Sequence, residues 1–335
     1  MRIGPRVAGT EEPVSAPDDP SPAAAERQRV LITGASSGIG MATAIEFAER
    51  GACVALVARS EHGLDRCSAA VRDAGGEPIV CPADVTDRAA VQAAIDRATA
   101  AMGGLDVVVV NAGAAAFGAF TQTAADDFDR TIDATLRGAV DTIREALPHL
   151  ERTQGSLVVV GSVADAIPLP LMSAYTAAKH GLRGFVDALG IEMRSQDSRV
   201  ALSLISPGPV DTPFWDNVAT QEGHLPPRLP GAYPPEDVAK AIVSCVDRHR
   251  SGGMTVGGLM VLAGTVHSLL NPLSERLLAH FAGWARTAGQ PGPGARAIHE
   301  PAGRGELRTG LASRPSLLTR GLAVAGGARA AISRR

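Results

Sequence analysis

Two tyrosines and two lysines occur in the 335 residues, and one of each stands four apart in Tyr175-Thr-Ala-Ala-Lys179. With those counts, a chance pair at this offset arises in about one such chain in a hundred. The segment has a helical pattern, and residues four apart share one helix face, so the phenol and the ammonium can point into the same cleft. A lysine held near a phenol favours the phenolate. One unit charge about 5 Å away, at an effective dielectric near 20, is worth roughly 3 kcal/mol, or about two pKa units. A tyrosine so tuned exchanges a proton near neutral pH. The same two residues also read as a surface lysine beside a half-buried tyrosine, and the rest of the chain decides between the two.

A second chemical feature lies near the N-terminus. Thr33-Gly34-Ala35-Ser36-Ser37-Gly38-Ile39-Gly40 follows the apolar run Val30-Leu31-Ile32 and leads into a helical pattern that stops at Gly51. Strand, glycine turn and helix in that order let backbone N–H groups and a helix N-terminus face a pyrophosphate, while small residues let the phosphates approach closely. The spacing G-x-x-x-G-x-G, led by threonine, differs from the usual dinucleotide spacing G-x-G-x-x-G and is more informative for it.

Further short motifs follow in order: Asp84-Val85 after the third strand, Asn111-Ala112-Gly113 after the fourth, and Ser162 after the fifth, thirteen residues before Tyr175. Pro207-Gly208-Pro209-Val210-Asp211-Thr212-Pro213 follows the sixth. Together with the glycine turn and the Tyr-x-x-x-Lys pair, these resemble the short-chain dehydrogenase/reductase family in its compact subclass, over roughly residues 29 to 262. The resemblance implies an oxidoreductase that moves a hydride between a nicotinamide dinucleotide and a carbonyl or alcohol carbon. Tyr175 would be the acid/base, Lys179 would tune it and bind the nicotinamide ribose, and Ser162 would hydrogen-bond the substrate oxygen. Gly34, Ser36, Ser37, Gly38, Ile39 and Gly40 would form the pyrophosphate turn. Asp84 and Val85 would meet the adenine, and Asn111, Ala112 and Gly113 would lie beside the adenosine ribose. Pro207, Gly208, Val210 and Thr212 would line the nicotinamide end.

The cofactor is narrowed by the end of the second strand, Ala58-Arg59-Ser60. An acidic side chain there would accept hydrogen bonds from the ribose 2'-hydroxyl of NAD; here the position is Ala58. Arg59 follows it, and a guanidinium suits a 2'-phosphate in charge and in its forked donors. NADP (NADPH) is therefore expected, with NAD the poorer fit. One position departs from the family pattern. Ala134-Thr135-Leu136-Arg137-Gly138 carries Thr135 where the resemblance leads one to expect a fourth catalytic residue, an asparagine that supports a water leading toward the lysine. Altered proton relay is the consequence, and a second reading follows from it: an NADP(H)-binding regulatory or scaffold protein with weak turnover.

These groups need a rigid frame. Alternating segments over about 235 residues are enough for one doubly wound α/β domain of the Rossmann type with a parallel sheet. The pattern predicts strands near 29–33, 52–58, 78–82, 106–111, 156–161, 200–206 and 254–257, with helices near 39–50, 63–74, 87–102, 125–151, 173–195 and 235–248. Val107 to Val110 and Leu157 to Val160 are apolar on both faces, as buried parallel strands are. Between Ser162 and Tyr175, and again at Phe214-Trp215, the chain is apolar, which suits a small hydrophobic carbonyl or alcohol substrate but equally suits core or a subunit contact.

Outside the domain, residues 1–28 read as a disordered leader without a secretion signal. In 263–285, Asn271-Pro272 can start a helix, on which Leu269, Leu270, Leu273, Leu277, Phe281 and Trp284 make a stripe. That stripe could cover the substrate cleft, join subunits of a homo-oligomer (a dimer or tetramer), or touch a membrane surface, the last being the least favoured. Residues 286–335 hold nine arginines against two glutamates amid Ala, Gly and Pro, a disorder-type composition. Cys53, Cys67, Cys81 and Cys245 stand at unrelated spacings and read as reduced core residues of a cytoplasmic protein. Histidines are scattered, so no metal site is expected. A net charge of −3 gives no reason to bind nucleic acid.

Overall fold

The computed structural model describes residues 27–220, 225–227, 231–257, 267, 271–288, 298–300 and 305–309. Seven parallel strands form the central sheet in the order β3-β2-β1-β4-β6-β7-β9. They are β1 (Arg29–Thr33), β2 (Cys53–Ala58), β3 (Glu77–Pro82), β4 (Val107–Val110), β6 (Ser156–Val160), β7 (Ala201–Pro207) and β9 (Gly252–Val256). Two short strands, β5 (Ala116–Phe117) and β8 (Ala219–Thr220), pair separately. The helices are α1 (Gly38–Ala48), α2 (Glu61–Asp73), α3 (Arg88–Met102), α4 (Ala125–Ile132), α5 (Gly138–Thr153), α6 (Ser173–Ser195), α7 (Pro235–Asp247) and α8 (Asn271–Ala288).

The two-residue period of the strands divides the core. Val108 and Val110 of β4 and Leu157 and Val159 of β6 point into one apolar cluster with Ile95, Ile143 and Leu182 of α3, α5 and α6. Their neighbours Val107, Val109, Val158 and Val160 point into the other, with Phe47, Val238 and Ile242 of α1 and α7. Parallel strands need helical crossovers, so both faces are covered and every strand residue of β4 and β6 is buried. All four cysteines lie buried in or under this sheet and are unpaired, and burial pushes the Cys67 thiol up to about 12.

Strand order reverses between β1 and β4. A crevice opens at the carboxyl ends of those two strands, which is where an open α/β sheet binds its ligand. The opposite ends are clipped together by Arg29, whose Nε and Nη2 donate to the Asp106 carboxylate at 2.9 and 2.6 Å.

The predicted helix over 125–151 is interrupted. A π-turn at Asp133–Arg137 separates α4 from α5, and such wide turns often sit at functional sites. Of the stripe expected on α8, Leu273, Leu277 and Trp284 are exposed and Phe281 packs inward, while Ser274 and Ala285 are buried. Leu269 and Leu270 lie outside the described residues. Within the tail expected to be disordered, the described residues include His299, which meets Asp127, and Arg308, which pairs with Glu236. Composition measures the cost of ordering a segment, and here contacts from distant parts of the chain meet it.

The Arg29 pair holds the Asp106 carboxyl below the usual carboxylate range: burial pulls its pKa up, but the hydrogen bonds and charge of Arg29 outweigh this. A depressed carboxyl contributes stability that is present above its unfolded pKa and is lost as pH falls through its folded pKa. Asp106→Asn should therefore unfold at about 1–2 kcal/mol less cost than wild type at neutral pH, with the difference vanishing in acid. Urea denaturation at several pH values checks this.

Candidate active site

Gly34 has φ +68°, and a Cβ there would lie 2.8 Å from Asn111 Nδ2; at Gly40 it would lie 2.2 Å from the Gly34 carbonyl oxygen. The turn thus folds tightly onto itself and onto the end of β4, and the first turn of α1 faces the crevice, with its Gly38 N–H bonded to the Glu306 carbonyl. Asn111 locks this arrangement. Its backbone N–H donates to Thr33 Oγ1 at 3.0 Å and its Nδ2 to the Thr33 carbonyl at 3.0 Å.

One continuous cavity starts at this turn. It is lined by Gly34, Ser36, Ser37, Gly38, Ile39, Arg59, Asp84, Val85, Asn111, Ala112 and Gly113, and it continues to Ser162, Tyr175, Lys179, Pro207, Gly208, Val210 and Thr212. Two of the residues expected at the site do not line it. Gly40 sits behind the turn, where it permits the close approach described above. Thr135 is fully buried in the π-turn.

Thr135 is bonded to the backbone of the loop after β4. Its Oγ1 donates to the Ala114 carbonyl at 2.8 Å and accepts from the Ala114 N–H at 2.9 Å, which ties α4–α5 to the loop after β4. Its hydroxyl proton is committed to the Ala114 carbonyl, which leaves only an acceptor lone pair for a relay water.

At the chemical end, Ser162 caps a short helical turn. Its Oγ accepts from the Ala164 N–H at 3.1 Å, while the Asp165 carboxylate reaches back to the Ser162 N–H at 3.3 Å, a capping box. Because the Oγ accepts from the backbone, its own proton remains for donation. Asp165 is itself buried, accepts from Ser206 Oγ and faces Arg183 at 3.6 Å. Sequence reading did not single it out.

Tyr175 and Lys179 project from α6 and are 7% and 4% exposed. The Lys179 ammonium donates to the Val160 carbonyl at 2.8 Å and lies 5.8 Å from the Tyr175 ring centre. Burial pushes the Tyr175 phenol up to about 12 against a hydrogen bond with Ser162, and burial brings Lys179 down to about 8 against the charge of Asp165. With the protein's own groups alone, burial therefore works against the lowering that a neighbouring Lys179 would give the phenol. The simple pairwise estimate omitted the desolvation that both groups undergo. His180, the next residue, is exposed and turns its Nδ1 to the Thr176 carbonyl at 3.0 Å, away from the cleft.

At the opposite end, Arg59 and a residue missed in the sequence, Arg130 of α4, flank Asp84. Arg130 donates to Asp84 and to Thr86, and Arg59 approaches Asp84 Oδ2 at 3.8 Å. Burial raises the Asp84 pKa, but these bonds from Arg130 and Thr86 prevail and lower it, so the carboxylate stays charged between two guanidiniums. In its own helix Arg130 looks like an ordinary surface residue. Only its bonds to Asp84 and Thr86, just after β3, show it at the cavity.

Apolar residues form the remaining wall. Phe214 stacks obliquely on Tyr175 with centroids 5.6 Å apart, and Trp215 Nε1 donates to the Val210 carbonyl at 3.0 Å. They join a cluster with Phe117, Met172 and Val218, onto which α8 lays Phe281 and Ala285.

The profile of the short chain dehydrogenase family matches residues 28–223, and the chain belongs to that family. An oxidoreductase of Bacillus subtilis named YxnA, itself uncharacterized, is 31% identical over 254 residues, which span 75% of this chain and 71% of the relative. Among solved structures, a short chain dehydrogenase/reductase of Burkholderia phymatum in complex with NAD shares the fold, with a TM-score of 0.65 at 24% identity over 74% of this chain and 95% of that one. An alcohol dehydrogenase from the archaeon Thermococcus sibiricus, complexed with 5-hydroxy-NADP, superimposes with a TM-score of 0.60 at 28% identity over 69% of this chain and 96% of that one. The chain is thus a member of an oxidoreductase family with a Rossmann-type nucleotide-binding fold. Among the described residues no helix is long and apolar enough to cross a membrane.

If Thr135 is a backbone clamp, Thr135→Val, which keeps its shape but removes donor and acceptor, should cost about 2 kcal/mol of stability. Urea denaturation measures this. Unchanged stability together with an altered pH dependence of turnover would instead restore the relay role.

Proposed function

We propose that the protein is an NADP(H)-dependent oxidoreductase that interconverts a carbonyl and an alcohol on a hydrophobic substrate, with Tyr175 as acid/base. The observation that carries this reading is the single cavity joining the glycine turn to Ser162, Tyr175 and Lys179. Its residues fit a dinucleotide: the turn is closed too tightly for a Cβ at Gly34 or Gly40, and it presents the N-terminus of α1 to the crevice. When bound, the dinucleotide supplies the hydride chemistry. Ser36, Ser37 and Ile39 hold its phosphates, and Asn111 keeps the walls of the crevice in register.

The proton is handled by the chain. Ser162 donates a hydrogen bond to the substrate oxygen and stabilises charge that develops there. Tyr175, neutral when the protein's own groups act alone, gives its proton to that oxygen in reduction and takes one in oxidation. Lys179, whose ammonium is anchored on Val160, counters the phenolate left behind. Phe214, Trp215 and Met172 exclude water and favour a hydrophobic ketone, aldehyde or secondary alcohol.

Two features support NADP over NAD. The β2 end carries Ala58 in place of an acid, and Arg59 and Arg130 both line the cavity beyond it. A 2'-phosphate meeting them forms charge-assisted pairs that a 2'-hydroxyl does not.

Tyr175→Phe should lower turnover about a hundredfold or more while nucleotide affinity stays within a factor of two or so. A panel of carbonyl compounds and alcohols followed by nicotinamide absorbance, with NADP(H) and NAD(H) in parallel, provides the assay. Retention of more than about a tenth of wild-type activity would remove Tyr175 from its role. For the cofactor, Ala58→Asp with Arg59→Ile should move the ratio of NADPH to NADH affinity toward NADH by about tenfold or more. An unchanged ratio would mean that the 2' position is read elsewhere.

A further inference from the structure

The C-terminal stretch returns to the crevice and touches both of its banks. Ile298 is 2% exposed, belongs to the apolar cluster that contains Val85 and lines the cavity beside Arg59 and Asp84. Its backbone carbonyl accepts from Arg59 Nη1 at 2.9 Å and from Arg130 Nε at 3.4 Å. The next residue, His299, meets the buried carboxylate of Asp127 on α4 at 2.7 Å. On the other bank, the Glu306 carbonyl accepts from the Gly38 N–H at the start of α1 at 3.1 Å. Arg308 pairs with Glu236 of α7 at 2.7 Å, and Thr309 donates through its N–H and its hydroxyl to Asp211.

These anchors run from α4, past the end of β2, to α1, α7 and the loop after β7, and so they cross the mouth of the crevice. Of the described residues in this stretch, Ile298 alone lines the cavity, which continues past it toward Tyr175. The stretch therefore spans the groove and takes the Gly38 N–H, while the cavity beyond it stays open. An adenine needs an apolar wall for its ring face, and the side chain of Ile298 offers one at the end where Arg59, Arg130 and Asp84 converge.

We propose that Ile298–Glu300 and Gly305–Thr309 are a strap that completes the dinucleotide site, closing over its adenosine half and slowing release of the nucleotide. This rests on the dinucleotide reading given above. The anchors His299, Arg308 and Thr309 touch protein only, so removing them loosens the strap without altering the groove.

The test compares the full-length protein with the full-length variant His299→Ala/Arg308→Ala/Thr309→Ala, using NADPH and NADH as probes. Stopped-flow fluorescence should show dissociation of both nucleotides accelerated about tenfold, with Kd raised in proportion. In the wild type, hydrogen exchange of backbone amides within 298–309 should slow when NADPH is added. Binding with unaltered release rates would overturn the strap and leave the functional reading standing. Tighter binding by the variant, or faster exchange on adding NADPH, would overturn it by revealing a plug that the nucleotide displaces. Failure of either nucleotide to bind the wild type would overturn the functional reading, and this proposal with it.

Discussion

A phenol and an ammonium held four residues apart and out of water set the terms for the rest of the site. Taking both groups from solvent favours their neutral forms, so Tyr175 rises to about 12 and Lys179 falls to about 8. The surroundings compensate in specific ways. The Val160 carbonyl accepts from the ammonium, Ser162 bonds the phenol, and the buried carboxylate of Asp165 supplies negative charge to Lys179 while fixing Ser162 through its backbone. Such a site rests in a defined protonation state and responds strongly to any further charge brought beside it, because interactions in a dry cleft are weakly screened.

The sheet makes that dryness possible. Parallel strands are covered on both faces, and reversal of strand order between β1 and β4 leaves one crevice at their carboxyl ends. Chemical groups from the end of β6 and from α6 converge there with the glycine turn of β1–α1, although they are more than a hundred residues apart in sequence. The π-turn held by Thr135 and the Asn111–Thr33 bonds keep the intervening loop fixed, which preserves the distance between the two ends of the cavity.

Much of this was legible in the sequence because the signals are local. An all-valine run reads as a buried strand, a glycine spacing reads as a turn, and a Tyr–Lys offset of four fixes a shared helix face, and the strands near 29–33 and 156–161 lie where these patterns put them. Features that depend on distant contacts did not show. Arg130 is one charge on an amphipathic helix, Asp165 is one acid in a loop, and Ile298 lies in a Gly-, Pro- and Arg-rich stretch whose composition gave only the entropic side of its energetics. On α8 the largest apolar residues gave the stripe, whereas the residues buried are the small Ser274 and Ala285, the latter in the cluster that holds Tyr175.

The central claim is that burial, not Lys179, governs the resting state of Tyr175. With only two tyrosines in the chain, phenolate absorbance can isolate it by difference between the wild type and Tyr175→Phe, both without added nucleotide. The account predicts no phenolate signal from Tyr175 between about pH 6 and 10, well past the midpoint expected from its lysine neighbour alone. A titration step assigned to Tyr175 and centred near about pH 7 to 8 would contradict it.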